Sequence, residues 1–281
     1  MAKWEIEIQM PSGAVQGGTV CPPEKQTAAA FNTGMVLEGW SAAYRESGDA
    51  AYLEAGRRAA DFLAGDINEE GYFKTNGQFV SLGEIKTYNC LCAWALYKFG
   101  EDAKDSSYKD AAMHVIEAAL RQQQANGWFD NNCLGDPKTP LLHTIGYTLQ
   151  GILEVGILSE NKRFIDAVLL GTDPLLARLS LNGFTYGRFY ADWEPAVFSS
   201  CLTGSAQIAV IFYRLYEYTD DKKYREAADR LVNYLKALQL LHSKDKGVNG
   251  ALSGSFPPFG GYIPADYPNL ATKYFLDSLM A

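Results

Sequence analysis

The stretch QANGWF, residues 124–129, decides the fold, because its glycine belongs to a series. Glycines recur in phase at Gly13, Gly71, Gly127, Gly183 and Gly250, and aromatic residues follow three of them, at Tyr72, Trp128 and Phe184. Successive copies begin 58, 56, 56 and 67 residues apart. A second series keeps step with the first: Tyr52, Tyr108, Phe164 and Tyr224 each open an amphipathic helix just after a short polar turn. Self-similarity at this period marks an array of helical hairpins.

Outward from each glycine lie two helices of different character. The first kind is apolar on nearly every side, as in FNTGMVLEGWSAAY from Phe31, TYNCLCAWALYKF from Thr87, LLHTIGYTLQGILEVG from Leu141, CLTGSAQIAVIFYRLY from Cys201 and PNLATKYFLDSL from Pro268. Such helices are expected to be buried inner helices. The second kind, as in KKYREAADRLVNYLKALQ from Lys222, repeats its apolar residues at three and four with charges opposite, so it faces solvent on one side. Pro174 falls inside one outer helix, KRFIDAVLLGTDPLLARLS from Lys162, and is expected to kink or split it. Polar turns such as ESGDA (46–50) and YTDDK (218–222) join inner to outer, and longer loops rich in Gly, Asn, Asp and Pro lead back. The pattern predicts an all-α fold, an α/α toroid of about five inner and five outer helices forming a single domain over 1–281. The first residues read as the tail of an outer helix, so a toroid lacking N-terminal hairpins is expected.

Hydrophobic residues make up 47% and charged residues 21% of the 281, an ordinary globular balance. A net charge of -8 argues against a nucleic-acid partner. No apolar run approaches the roughly 20 residues of a membrane span, and no secretory signal is visible, so a cytoplasmic location is expected. The five cysteines, Cys21, Cys90, Cys92, Cys133 and Cys201, form neither a disulfide framework nor a zinc pattern. No metal or cofactor is expected, since His-Glu-x-x-His and phosphate-loop signatures are missing.

Aligning the inner helices puts Asn32, Asn89, His143, Thr203 and Asn269 at one level. Asn and Thr suit helix N-caps, which accounts for four of them, whereas histidine caps poorly. Closure of the toroid would bring these helix starts, with their positive dipole ends, to one mouth that favours an anionic ligand. His143 and Tyr147, four apart, share a helix face and suit an acid/base pair, or equally a packed core pair. The return loop 183–204 supplies Arg188 for a carboxylate, Tyr190 and Trp193 for a sugar face, and Asp192 or Glu194 as acid or base. A solvated loop with a salt bridge has the same composition. Asp130 in GWFDNN is a further catalytic acid candidate, and Trp128 beside it and Tyr262 in GSFPPFGGYIPADYPN complete the candidates for substrate contact, although turns need the same residue types.

On the units FNTGMVLEGW, RQQQANGWFDNN, HTIGYTLQGILE and CLTGSAQIA, the chain resembles bacterial α/α-toroid proteins of the prenyltransferase/squalene-cyclase-like repeat group. That scaffold is similar to six-hairpin glycosidases and to toroid polysaccharide lyases. The Asp-x-Asp-Asp acid of triterpene cyclases has no counterpart here, because Asp220 and Asp221 lie in a short turn. The resemblance to the lyases implies Asn or His near a uronate carboxylate with His, Tyr and Arg moving protons, and Asn89, His143, Tyr147 and Arg188 match in type. The expected function is a carbohydrate-active enzyme, a lyase, hydrolase or epimerase, on an acidic oligo- or polysaccharide. The alternatives are a terpenoid-binding or cyclase-like protein with an apolar cavity, and a non-catalytic glycan-binding protein.

Overall fold

The computed structural model describes residues 1–77 and 84–281. Among them are ten α-helices: α1 (Ala2–Glu7), α2 (Ala30–Ser47), α3 (Ala50–Asp66), α4 (Cys90–Asp102), α5 (Ser106–Leu120), α6 (Leu142–Leu158), α7 (Lys162–Arg178), α8 (Leu202–Thr219), α9 (Lys222–Leu238) and α10 (Asn269–Met280). The only sheet among the described residues pairs β1 (Ser200–Cys201) with β2 (Ser255–Phe256), antiparallel. The chain divides into two compact units, 1–123 with 151–165 and 124–150 with 166–281.

In the first unit α2 packs on α3 and α4, and α4 packs on α5. Nine residues of α4 are buried on all sides, as an inner helix requires. Close approach needs small residues: a Cβ on Gly34 of α2 would stand 2.7 Å from the Cβ of Cys92. In the second unit α8 packs on α9 and α10. The buried residues of α9, Tyr224, Ala227, Ala228, Leu231, Val232 and Leu235, form a single stripe at three and four, so α9 is an outer helix.

The recurring glycines share one conformation, with φ of +87° at Gly13, +92° at Gly71, +84° at Gly127, +86° at Gly183 and +86° at Gly250. Each of the first four presses on a later outer helix. An added Cβ would meet the carbonyl oxygen of Arg58, His114, Leu170 or Arg230 at 2.1, 2.7, 2.3 and 2.0 Å respectively. The local turn also repeats: Gly71, Gly127 and Gly183 donate to the carbonyls of Asn68, Gln124 and Ser180, three residues back. Gly250 donates instead to Leu240, so the last copy encloses a longer turn, which lengthens its spacing.

The polar turns repeat as well. A left-handed residue, Gly48, Lys104, Glu160 or Asp220, is followed by Asp49, Asp105, Asn161 or Asp221. The side chains of those four accept from the backbone N–H groups of Ala51, Ser107, Arg163 and Lys223. Outer helices are therefore capped by side chains. Among the inner helices α2, α4, α8 and α10 none is, because their N-caps fall on Ala29, Asn89, Cys201 and Pro268 without a side-chain bond. This corrects the capping expected of Asn32, Asn89, Thr203 and Asn269. Asp49→Ala is expected to cost about 1 kcal/mol, read as a melting temperature lower by about 2–4 °C.

Pro174 does not split α7, which runs from Lys162 to Arg178. Proline cannot donate to the carbonyl one turn back, that of Leu170, and Gly127 abuts that same carbonyl. No helix among the described residues is long and apolar enough to cross a membrane.

Candidate active site

His143 is the second residue of α6 and faces the first turn of α8 in the second unit. Glycine makes that approach possible, since a Cβ on Gly204 would stand 2.7 Å from the backbone nitrogen of His143. The imidazole is 2% exposed, and neither ring nitrogen has a hydrogen-bond partner. Its ring meets Tyr147 edge-on at 5.2 Å and Tyr262 at 4.8 Å, while Tyr147 lies 5.9 Å from Tyr274. Burial, assisted by the nearby positive charge of Arg188, pushes the His143 pKa down to about 3. The ring is neutral at physiological pH.

Arg188 is held by backbone stitching at the start of α6. Leu142 N donates to Gly187 O at 2.9 Å, and Gly187 N donates to Ser199 O at 2.8 Å. Its guanidinium donates to the carbonyls of Thr139 at 2.6 Å and Gly261 at 3.5 Å. No carboxylate among the described residues makes a direct ion pair with it, but Asp136, whose pKa is lowered first by the Thr139 hydroxyl bound to it, lies close enough for the Arg188 charge to lower it further. Arg188, Cys201, Ser255 and Tyr262 line one recess, too narrow as it stands to admit a water molecule. Burial pushes the Cys201 thiol up to about 12, and burial likewise pushes the Tyr262 phenol up to about 12. Thr203 lies beside the Tyr262 phenol without reaching hydrogen-bond geometry.

The remaining candidates sit elsewhere. Trp128 and Trp193 are each 3% exposed and pack edge-to-face at 5.1 Å. Trp193 also donates its indole N–H to Asn126 O at 3.0 Å, so both rings hold two loops together and present no face to a sugar. Asp192 is exposed and accepts from Glu194 N, Glu194 pairs with Arg178 at 2.7 Å, and exposed Asp130 accepts from Gln124 at 2.7 Å. None of these three acids lines the recess with Arg188. Tyr190 is exposed, as is Asn269 at the first position of α10. In the first unit Asn32 is half-buried on α2, and Asn89 donates to Asn76 at 2.9 Å.

The sequence reading passed over Gln150 and Gln207, both buried polar residues on inner helices of this unit. Their signal was an amide inside an otherwise apolar run, as in LTGSAQIAVIF. No group of three or more His, Cys, Asp and Glu among the described residues is arranged to hold a metal ion. The chemistry on offer is a neutral imidazole, a phenol and a guanidinium held by backbone carbonyls.

No family model matches the sequence, and no curated protein matches it. Solved structures do. An unsaturated glucuronyl hydrolase specific for heparin superposes with a TM-score of 0.73 at 16% identity, over 89% of this chain and 73% of that one. The unsaturated glucuronyl hydrolase of Bacillus sp. GL1, described as responsible for glycosaminoglycan degradation, gives 0.71 at 18% identity over the same shares, 89% and 73%. A GH76 alpha-mannanase of Bacteroides thetaiotaomicron gives 0.69 at 14% identity over 99% of this chain and 76% of that one. The chain therefore has the α/α-toroid fold of the six-hairpin glycosidases, the architecture that its repeat predicts.

Proposed function

We propose that the protein is a carbohydrate-active enzyme that moves a proton on an acidic oligosaccharide at the recess beside His143. The observation that carries this reading is a guanidinium, that of Arg188, held by backbone carbonyls with no carboxylate in direct ion-pair contact, near an imidazole whose two nitrogens have no hydrogen-bond partner. Arg188 binds the uronate carboxylate, and its charge stabilises the negative charge that develops when the carbon next to that carboxylate loses a proton. His143, neutral, accepts the proton, and the bound carboxylate raises its basicity by placing an anion close by. Tyr147, on the same face of α6, donates to the departing glycosidic oxygen in a lyase or returns the proton in an epimerase. The names of the structural neighbours favour an acidic glycan.

Hydrolysis is the second reading, favoured by the neighbours being hydrolases. It requires two carboxylates flanking the bond. Asp130, Asp192 and Glu194 would have to leave their present partners to serve.

The test is a panel of oligogalacturonate, oligoalginate, heparin fragments and unsaturated glucuronyl disaccharides, followed by ultraviolet absorbance and by reducing ends. A new unsaturated, absorbing product marks a lyase, and new reducing ends without it mark a hydrolase. Arg188→Ala is expected to weaken binding of the acidic substrate about tenfold or more. His143→Ala and Tyr147→Phe are expected to lower kcat by about 10²- to 10⁴-fold. Unchanged turnover in both catalytic variants, or unchanged affinity in Arg188→Ala, would sink the assignment.

A further inference from the structure

Helices α6 and α8 meet along one polar seam in the second unit. His143, Tyr147 and Gln150 share one side of α6, while Thr203 and Gln207 lie one turn apart on α8. Gly146 fixes the depth of the seam, because a Cβ there would stand 3.1 Å from the Cβ of Gln207 and 3.4 Å from its amide carbon and oxygen. The Gln207 amide thus lies against the side of α6 that carries His143 and Gln150.

These polar groups are buried and unsatisfied together. His143 is 2% exposed, Gln150 7%, and Thr203 and Gln207 0%. Both ring nitrogens of His143, Oε1 of Gln150, Oγ1 of Thr203 and both amide atoms of Gln207 lack a hydrogen-bond partner among the described residues. Folded proteins leave few such atoms, since each one forfeits its bonds to water without replacement. Concentrated on two facing helices, they mark a place where water, or a ligand that displaces it, supplies the missing bonds. Gln207 offers a donor pair and an acceptor, and a neutral imidazole offers one of each. Only a ligand whose groups both donate and accept can satisfy all of them, and hydroxyls do.

We infer that His143, Gln150, Thr203 and Gln207 bind one hydroxyl-rich pyranose ring, in the space that the Tyr262 ring covers in the free protein. The inference rests on the carbohydrate reading above. It divides the substrate between two devices: the seam takes uncharged hydroxyls, and Arg188 takes the carboxylate.

The loop carrying Tyr262 is anchored at one end by β2, which pairs with β1, and is held together beyond it by its own bonds. Gly254 N donates to Asp266 O at 3.0 Å and closes the ends of the loop on each other. Inside it, Ser255 Oγ accepts from Tyr262 N at 2.9 Å and donates to Tyr262 O at 2.7 Å. Its tip reaches the rest of the unit through long bonds, Arg188 to Gly261 O at 3.5 Å and Gly261 N to Ser199 Oγ at 3.4 Å. Only the tip beyond β2, held to the rest of the unit by these two long bonds, has to shift for the Tyr262 ring to leave His143. Ile263, next to Tyr262, holds φ at +45°, a strained setting for a β-branched residue.

The test is thermal melting of wild type, Gln207→Met and Gln207→Leu, each alone and with glucose, mannose, galactose or glucuronate as probe. Without sugar, Gln207→Met is expected to melt about 2–4 °C above wild type, because an apolar chain of the same length removes an unsatisfied amide. At least one uncharged hexose is expected to raise the wild-type melting temperature, and Gln207→Met is expected to need at least tenfold more of it. The inference is overturned if both variants melt below wild type, if no hexose shifts the wild type, or if the shift survives in both variants. Arg188→Ala separates this inference from the functional reading. Loss of its glucuronate response alone supports both; an intact glucuronate response, with the hexose response lost in Gln207→Met, supports the seam and removes the acidic substrate.

Discussion

Gly183→Ala is expected to destabilise the protein by about 3 kcal/mol or more, about twice the effect of Gly250→Ala. Both glycines hold φ at +86°, so the backbone penalty of a side chain in the left-handed region, about 1–2 kcal/mol, is common to them. Their surroundings differ. At Gly183 the new Cβ would stand 2.0 Å from the carbonyl oxygen of Arg230 and 2.6 Å from its carbon, both backbone atoms of α9. Helix backbone cannot give way by an ångström, so the turn must separate from α9, at a further cost of overpacking size, about 1–3 kcal/mol. At Gly250 nothing lies within 4 Å. Urea midpoints of the two variants measure the difference directly. Equal losses in both would mean that conformation alone explains the repeat, and that the contact with the outer helix is incidental.

The contrast also explains why the architecture was legible in the sequence. A glycine that must be left-handed and must also touch a neighbouring helix recurs wherever a hairpin packs on the next one. The period therefore reports packing between repeats. The site was legible only in part. His143 stood out as a residue that a helix start does not call for. Gln207 did not stand out, because whether a polar residue on an apolar helix finds a partner depends on α6, some 60 residues away. Trp193 suits a sugar face in the sequence for the same reason: a tryptophan in a polar loop looks available until the carbonyl of Asn126, 67 residues before it, takes its indole N–H. The capping of Asn32, Thr203 and Asn269 failed on register. The inner helices begin at Ala30, Leu202 and Asn269, so these residues fall inside the first turn.

Between pH 6.5 and 4.5 the protein is expected to lose about 2 kcal/mol of stability through His143 alone. Burial, with the charge of Arg188 adding to it, places the folded pKa at about 3, below the ordinary value of 6.5 that the unfolded chain keeps. In that window the unfolded state binds a proton that the folded state refuses, so stability rises with pH and falls as acid is added. The slope is about 1.4 kcal/mol per pH unit for one fully shifted group, and the whole loss, on the order of 5 kcal/mol, is reached near pH 3. The charged and titratable groups facing the ring are Tyr147, Tyr262, Cys201 and Arg188, and none of them supplies a negative charge at these pH values to hold an imidazolium. His143→Leu should flatten the dependence, whatever offset its changed packing adds, because the slope reports the proton alone. Urea midpoints of both proteins at pH 6.5, 5.5 and 4.5 decide the matter, and parallel curves would mean that the imidazole gains a partner on protonation. An acidic oligosaccharide supplies such a partner. Its binding should tighten as the pH falls toward 5, while the same variant should show no such gain.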